Sequence, residues 1–138
     1  MTKTEIYTDF LTTEGYRPSL DKDGDLTFKH ERINFILFAN EKDEEFFKLM
    51  IPFFWPIESE DERERAARVM HRLNAEYKAA KFYPIDDDVC VCVECFFETP
   101  EHFKKIFGRC VDLLAAAMRE FRHYMREETP SKPPLAEA

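Results

Sequence analysis

Residues 89–97 read VCVCVECFF, and this stretch decides the expected architecture of the chain. Successive residues of a β-strand point to opposite faces of a sheet. The odd-numbered positions are all apolar, whereas the even-numbered positions combine Cys90, Cys92 and Phe96 with Glu94. A strand with helices on one face only should alternate apolar and polar residues. The incomplete alternation predicts that the second face of the sheet is also covered or is held ready for a partner.

Two earlier stretches show the same double-sided pattern, residues 33–39 (INFILFA) and 46–54 (FFKLMIPFF). Alternation assigns one set of side chains to the helix-covered face: Ile33, Phe35, Leu37, Ala39, Phe47, Leu49 and Ile51. The opposite set, taken with the last strand, is Asn34, Ile36, Phe38, Phe46, Lys48, Met50, Cys90, Cys92 and Phe96. Soluble monomers seldom expose a continuous apolar patch above about 300–600 Å². We therefore predict a partner or dimer surface with four contact residues, Ile36, Phe38, Met50 and Phe96. The alternative is that residues 53–57 or the C-terminal tail fold over this face.

Capping signals indicate three helices in the rest of the chain. Thr2 with Glu5 and Ser59 with Glu62 have the spacing of capping boxes. The segment Thr99-Pro100-Glu101 combines a cap, an N1 proline and an acid. These signals predict helices at about residues 3–14, 59–80 and 99–126. The apolar stripe of the last helix comprises Phe103, Phe107, Cys110, Leu114, Met118, Phe121 and Met125.

The expected order of elements is α-β-β-β-β-α-β-β-α. Asp23-Gly24 between two short strands is a hairpin signal, because glycine tolerates positive φ. Pro52 cannot donate a ladder hydrogen bond, so its strand should lie at an edge, bulge or end there. Strand meanders of this kind favour an α+β domain, an antiparallel sheet with three helices packed mainly on one face. We expect one domain over residues 1–126 and a disordered, proline-containing tail over residues 127–138.

Size and charge narrow the function classes. The chain has 138 residues and 14 phenylalanines, enough to form a core without a disulfide or metal. Its formal net charge of −8 repels phosphate backbones, so no nucleic-acid partner is expected. No apolar run approaches the roughly 20 residues of a membrane helix, and residues 1–8 carry no signal-peptide core. We therefore expect no membrane partner, a cytoplasmic location and four reduced cysteines.

The C-x-C-x-x-C cluster of Cys90, Cys92 and Cys95 is the strongest candidate for chemistry, because thiolates bind zinc and exchange disulfides. On a strand, however, Cys95 points away from the other two, so small buried hydrophobes are the expected interpretation. The sequence contains no histidine pair, nucleophile elbow or glycine-rich loop. We predict no catalytic residues, no cofactor and no metal, with Cys90 and Cys92 as candidates for a rival thiol or metal site.

The order of elements and the diffuse pattern also resemble a known family. The lead helix is followed by the hairpin DKDGDLTF at residues 21–28 and the strand INFILF at residues 33–38. A later helix holds Leu73-Asn74, and a strand–helix unit follows it. Over residues 3–126 the chain resembles the YbjN family, described as bacterial sensory transduction regulators. The resemblance implies a small, acidic, cytoplasmic bacterial protein without catalytic residues, and a fold like that of type III secretion chaperones. Such chaperones are typically homodimers that bind extended client segments on apolar surface.

We hypothesise that the chain is a non-enzymatic protein-binding module, chaperone-like or regulatory. Its apolar sheet face would serve homodimerisation or the binding of a client segment. Two alternatives stay open. One is a thiol or metal protein that uses Cys90 and Cys92. The other is a small-ligand sensor with a pocket between the sheet and the last helix.

Overall fold

Helices and strands follow the predicted order in the computed structural model, which describes residues 1–127. The helices are α1 (Lys3–Thr13), α2 (Glu60–Glu76), a 3₁₀ helix (Pro100–Lys105) and α3 (Phe107–Glu127). The strands are β1 (Ser19–Leu20), β2 (Leu26–His30), β3 (Ile33–Leu37), β4 (Phe46–Pro56), β5 (Ala80–Ile85) and β6 (Asp88–Phe96). The predicted tail began at Glu127, which is instead the last residue of α3. The rest of that tail, residues 128–138, lies outside the described residues.

The six strands form one antiparallel sheet in the order β1-β2-β3-β4-β6-β5. Neighbouring strands follow one another along the chain except around α2. This helix carries the chain from β4 to the far edge strand β5, and β6 then returns between the two. The α+β class predicted from the strand meander is confirmed.

The register confirms which side chains share a face. Leu49 pairs with Val93 and Ile51 with Val91, so their side chains point to the same side. These residues pack in one core with the stripe of α3 predicted from its apolar spacing. Every member of that stripe is buried: Phe103, Phe107, Cys110, Leu114, Met118, Phe121 and Met125. The repeat of apolar residues, every 2 residues in strands and every 3.6 residues in helices, therefore predicts the core correctly.

Helix boundaries show two confirmed N-caps and three corrections. Ser59 caps α2 by accepting from the backbone N–H of Glu62. Thr2 and Glu5 form a reciprocal capping box at the start of α1. The second helix ends at Glu76 rather than near residue 80, because Tyr77 is already extended and Ala80 begins β5. The predicted single last helix is broken at Ile106 into a 3₁₀ helix and α3. Thr99 makes no side-chain capping bond.

Strand β4 contains the largest irregularity of the sheet. Ile51 pairs with Val91 and Trp55 with Val89, so residues 52–54 lie opposite the single residue Cys90. This segment is a β-bulge, one of the three outcomes that Pro52 allowed. Strand β4 continues through the bulge to Pro56 and is central, between β3 and β6.

A buried lysine ties α1 to the turn between β3 and β4. Lys3 is 1% exposed, and its Nζ donates to the carbonyl oxygens of Asp43 at 2.8 Å and Phe46 at 2.6 Å. A third bond of 3.4 Å reaches the carbonyl of Asn40. In the same turn, Glu41 accepts from the backbone N–H groups of Lys3 and Thr4. This turn therefore serves as an additional N-terminal cap of α1.

Candidate protein-binding surface

The outer face of the sheet is the side away from the core formed with α2 and α3. Direct cross-strand pairs such as Ile36–Met50, Met50–Cys92 and Tyr83–Cys90 define its rows. Its residues are Thr27, Lys29, Asn34, Ile36, Phe46, Lys48, Met50, Lys81, Tyr83, Ile85, Cys90, Cys92, Glu94 and Phe96. Phe38 extends the β3 row, since its backbone N–H donates to the carbonyl of Lys48.

The centre of the outer face is closed by its own side chains. Met50 is only 3% exposed, and Cys90 and Cys92 are fully buried beside it. The side chains that pack over this small cluster are Phe38, Tyr83 and Ile85. The expectation that Met50 is exposed on this face is therefore wrong. Alternation predicts which face a side chain points to, but it does not show whether large side chains on the same face bury it. The bulge adds to the cover, since the backbone N–H of residue 53 donates to Cys90 Sγ at 3.4 Å.

A charged row crosses the outer face next to this cluster. Lys48 Nζ donates to Tyr83 Oη at 3.1 Å and lies 3.4 Å from Glu94 Oε2. It also lies 4.8 Å from the centre of the Phe38 ring, within range of a cation–π contact. Lys81 donates to Glu94 from the other side, and this bond is the main cause that lowers the pKa of Glu94. The row divides the exposed apolar residues of the face into two separate ends.

One end is an exposed aromatic pair. Phe96 is 74% exposed, and its ring centre lies 5.7 Å from that of Phe46, its cross-strand partner. Strand β5 begins opposite Val93, so no strand in the described part of the chain flanks the last three residues of β6 on that side. Phe38, which is half-buried, and Phe46 also line an open cavity of about 650 Å³ at this end. Of the predicted contact residues, the structure therefore brings Phe38 and Phe96 to the same end of the face.

The other end is a cleft beside the bulge. Ile36 is half-buried and lines an open cavity of about 470 Å³ together with Phe53, which is 57% exposed. Sequence alternation placed Ile36 on this face but gave no position for Phe53, because a bulge shifts the phase of the residues after it.

The sequence model of one family, YbjN, with the description "Putative bacterial sensory transduction regulator", matches residues 5–126. The chain belongs to the YbjN family. That description names a regulator and no catalytic activity. The search of curated proteins found no match to this YbjN chain.

A solved structure shares the fold of this YbjN chain. It is the crystal structure of an uncharacterized protein from Methanothermobacter thermautotrophicus, with a TM-score of 0.61 and 12% sequence identity. The match covers 91% of this chain and 97% of that chain. At this identity the likeness concerns the fold alone. Separately, within residues 1–127 of the YbjN chain no helix has the length and apolarity needed to cross a bilayer.

The thiol alternative gains little from the geometry of the YbjN chain. Cys90 and Cys92 share a face but are sealed from solvent, and Cys95 points into the other layer. Burial raises the pKa of all three thiols, and it raises that of Cys110 to about 11. Among the described residues, no group of histidine, cysteine and acidic side chains is placed to hold a metal ion. Nucleophilic and metal-binding thiols need the opposite shift, toward the thiolate.

We expect the cysteines to be protected from a thiol-specific reagent such as Ellman's reagent. At neutral pH the folded chain should react on the order of a hundred times more slowly than the same chain in denaturant, because thiolate fraction and access are both low. Cys95, which is only half-buried, should react first. Comparison with the Cys95→Ala variant shows how much of the observed reaction comes from Cys95. Fast modification of Cys90 or Cys92 in the folded chain would revive the thiol alternative.

The sensor alternative concerns the space between the sheet and α3. A cavity of about 110 Å³ lies there, lined by residues of β3, the bulge and α3, among them Asn34, Phe54 and Met118. Sites for small organic ligands usually hold about 300–1,000 Å³. This cavity is therefore too small for a metabolite as it stands.

Proposed function

We propose that this YbjN-family chain is a non-enzymatic, regulatory or chaperone-like module that binds another protein through the Phe96 end of its outer face. The observation that carries the proposal is the exposed pair of Phe96 and Phe46, on a sheet face that no helix of residues 1–127 covers. Burying one phenylalanine side chain contributes about 1.5–3 kcal/mol. Phe38 lies beside the pair and enlarges the same apolar end.

The strand geometry favours an extended partner segment. Residues 94–96 of β6 pair with β4 on one side and extend past the end of β5 on the other. An open strand edge offers main-chain hydrogen bonds to an incoming strand, and the neighbouring aromatic side chains add specificity. The partner segment is either a second copy of this chain or a client protein. Four free thiols suit a reducing compartment, so we place this activity in the cytoplasm.

Light scattering across a concentration series tests whether the partner is a second copy of this chain. We expect the wild-type mass to rise toward that of a dimer, and Phe96→Ser to weaken this association about tenfold or more, since each interface loses a buried aromatic anchor. Phe53→Asn is the matched control. It also removes an exposed phenylalanine, at the other end of the face, and asparagine tolerates the positive φ of residue 53.

A wild-type chain that stays monomeric at every concentration would exclude the second copy. The client interpretation is then tested by crosslinking in the native host, followed by recovery of the same partner with wild type and Phe96→Ser. We expect Phe96→Ser to lose that partner. Equal recovery by both chains would refute a role for the Phe96 end.

A further inference from the structure

The sheet is split between β3 and the bulge of β4. The register pairs these strands only at Ile36–Met50 and Leu37–Leu49, and the bond from the Phe38 N–H to the Lys48 carbonyl lies at the end away from the bulge. Beyond Ile36, residues 52–54 bulge away, so Asn34 has a ladder partner on the β2 side but none on the β4 side. The cavities of about 110 Å³ and 470 Å³ both lie along this gap, and both have Asn34, Pro52 and Phe53 in their walls. We call this region the bulge cleft.

The charge of the bulge cleft is opposite to that of the chain. The charged residues in the walls of its two cavities are Arg17, Lys29, Arg32 and Arg122, and no carboxylate of residues 1–127 lines either one. The chain as a whole carries a formal net charge of −8. Four cations in one cleft of an acidic protein are therefore a local surplus of positive charge.

Most of these cations lack an internal partner. Among residues 1–127, Arg17, Lys29 and Arg32 form no ion pair or side-chain hydrogen bond. Glu31, which adjoins Arg32 in the turn, lies 4.0 Å from Arg119 instead. Arg122 donates to the carbonyl of Phe54 at 3.3 Å. Three guanidinium or ammonium groups are thus available to carboxylates from outside.

The apolar part of the cleft is held in a fixed position. Phe53 has φ of +46°, a conformation that is unusual for a bulky residue. Bonds on either side of it maintain this geometry, since its own N–H donates to Cys90 Sγ and the N–H of Trp55 donates to Asp88 at 3.0 Å. Such a conformation persists only where the surrounding structure imposes it. The result is an exposed aromatic ring presented between the cationic side chains.

We propose that the bulge cleft binds an extended acidic segment of a partner protein. Carboxylates of the segment pair with Arg17, Lys29 and Arg32, an apolar side chain packs on Phe53 and Ile36, and the main chain lies along the open edge at Asn34. Electrostatic complementarity selects an acidic partner and speeds its association. Nucleic acid is disfavoured because the rest of the surface is acidic. The inference goes beyond the proposed function, since it uses residues at the other end of the outer face.

The probe is a short fluorescein-labelled peptide of alternating glutamate and leucine, followed by fluorescence anisotropy with the full chain. We expect saturable binding that weakens as sodium chloride is raised, because exposed ion pairs are screened by salt. The double variant R17E/K29E should bind about tenfold more weakly, a change of about 1.4 kcal/mol. The control K78E/K105E changes the net charge equally at exposed sites outside the cleft and should bind as wild type does.

Several outcomes would overturn the inference. One is an equal loss of probe affinity in R17E/K29E and K78E/K105E. A second is equally tight binding of a peptide with lysine in place of glutamate, and a third is complete displacement of the probe by free glutamate. Tighter binding of a synthetic peptide of residues 128–138 would make a segment of this chain, rather than a partner, the occupant. Phe96→Ser should leave binding of the probe unchanged, and R17E/K29E should leave association through Phe96 unchanged. Failure of the cleft and failure of the proposed function are therefore distinguishable.

Discussion

Phe121→Ala is expected to lower the free energy of unfolding by about 3–5 kcal/mol, the range typical of a buried phenylalanine truncated to alanine. Phe121 is fully buried in α3, where its ring centre lies 5.4 Å from that of Phe54 and 6.0 Å from that of Trp55. The ring of Phe82 stacks on it from β5 at 5.8 Å. Urea unfolding followed by circular dichroism measures the loss.

The same substitution should also loosen the bulge, because Phe54 and Trp55 lie at its C-terminal end. We expect the substitution to speed amide hydrogen exchange at residues 53–55 more than in β2, which Phe121 does not contact through its ring. Phe96→Ala is the control for ring loss at an exposed site, where the change in stability should stay within about 0.5 kcal/mol. If the two variants had equal stability, α3 would not be what holds the bulge in place.

The core of this fold could be predicted from the sequence because it depends on local periodicity. Alternation placed Phe35, Leu49 and Val91 on the covered face, and the 3.6-residue stripe placed Leu114 and Phe121 against them. Each assignment needs only the residue's own neighbours along the chain. The capping box of α1 was recognisable for the same reason.

The surfaces could be predicted only in part, because they depend on contacts between distant segments. Phe96 was correctly placed on the outer face, but the burial of Met50 results from Phe38 and Tyr83 on neighbouring strands. Pro52 marked an irregularity without giving its form. Residues 17, 29, 32 and 122, whose side chains make the bulge cleft basic, are scattered along the sequence, so no motif brings them together.

Lys3 is the clearest residue that the patterns missed. A lysine in the first turn of a helix is disfavoured by the positive end of the helix dipole. That conflict was the available signal that this residue has a specific partner. Helical spacing predicts an apolar face of Ile6, Phe10 and Leu11 on α1, with Tyr7 at its flank. The buried side chains are Lys3, Tyr7 and Leu11, so Leu11 is confirmed and Lys3 is the residue that the spacing misses.

We expect Lys3→Met to lower the free energy of unfolding by about 2–4 kcal/mol. Methionine fills similar space but removes the lysine donor of all three carbonyl groups. Those of Asn40 and Asp43 keep only long backbone bonds, of 3.3 and 3.4 Å, and that of Phe46 loses its 2.6 Å bond. An unsatisfied buried group costs about 1–3 kcal/mol. Part of that loss is offset, because burial of the ammonium is itself unfavourable and lowers the pKa of Lys3. Chemical unfolding at neutral pH measures the difference.

Lys42→Met is the matched control, since Lys42 lies exposed in the same turn and its side chain makes no bond within residues 1–127. Its unfolding energy should change by less than about 0.5 kcal/mol. The Lys3 bonds end at Phe46, whose ring contacts Phe96. Loss of the lysine should therefore also weaken any association that depends on Phe96, even under conditions where the variant stays folded. Wild-type stability in Lys3→Met would show that water satisfies these carbonyl groups equally well, and that the turn holds its position without α1.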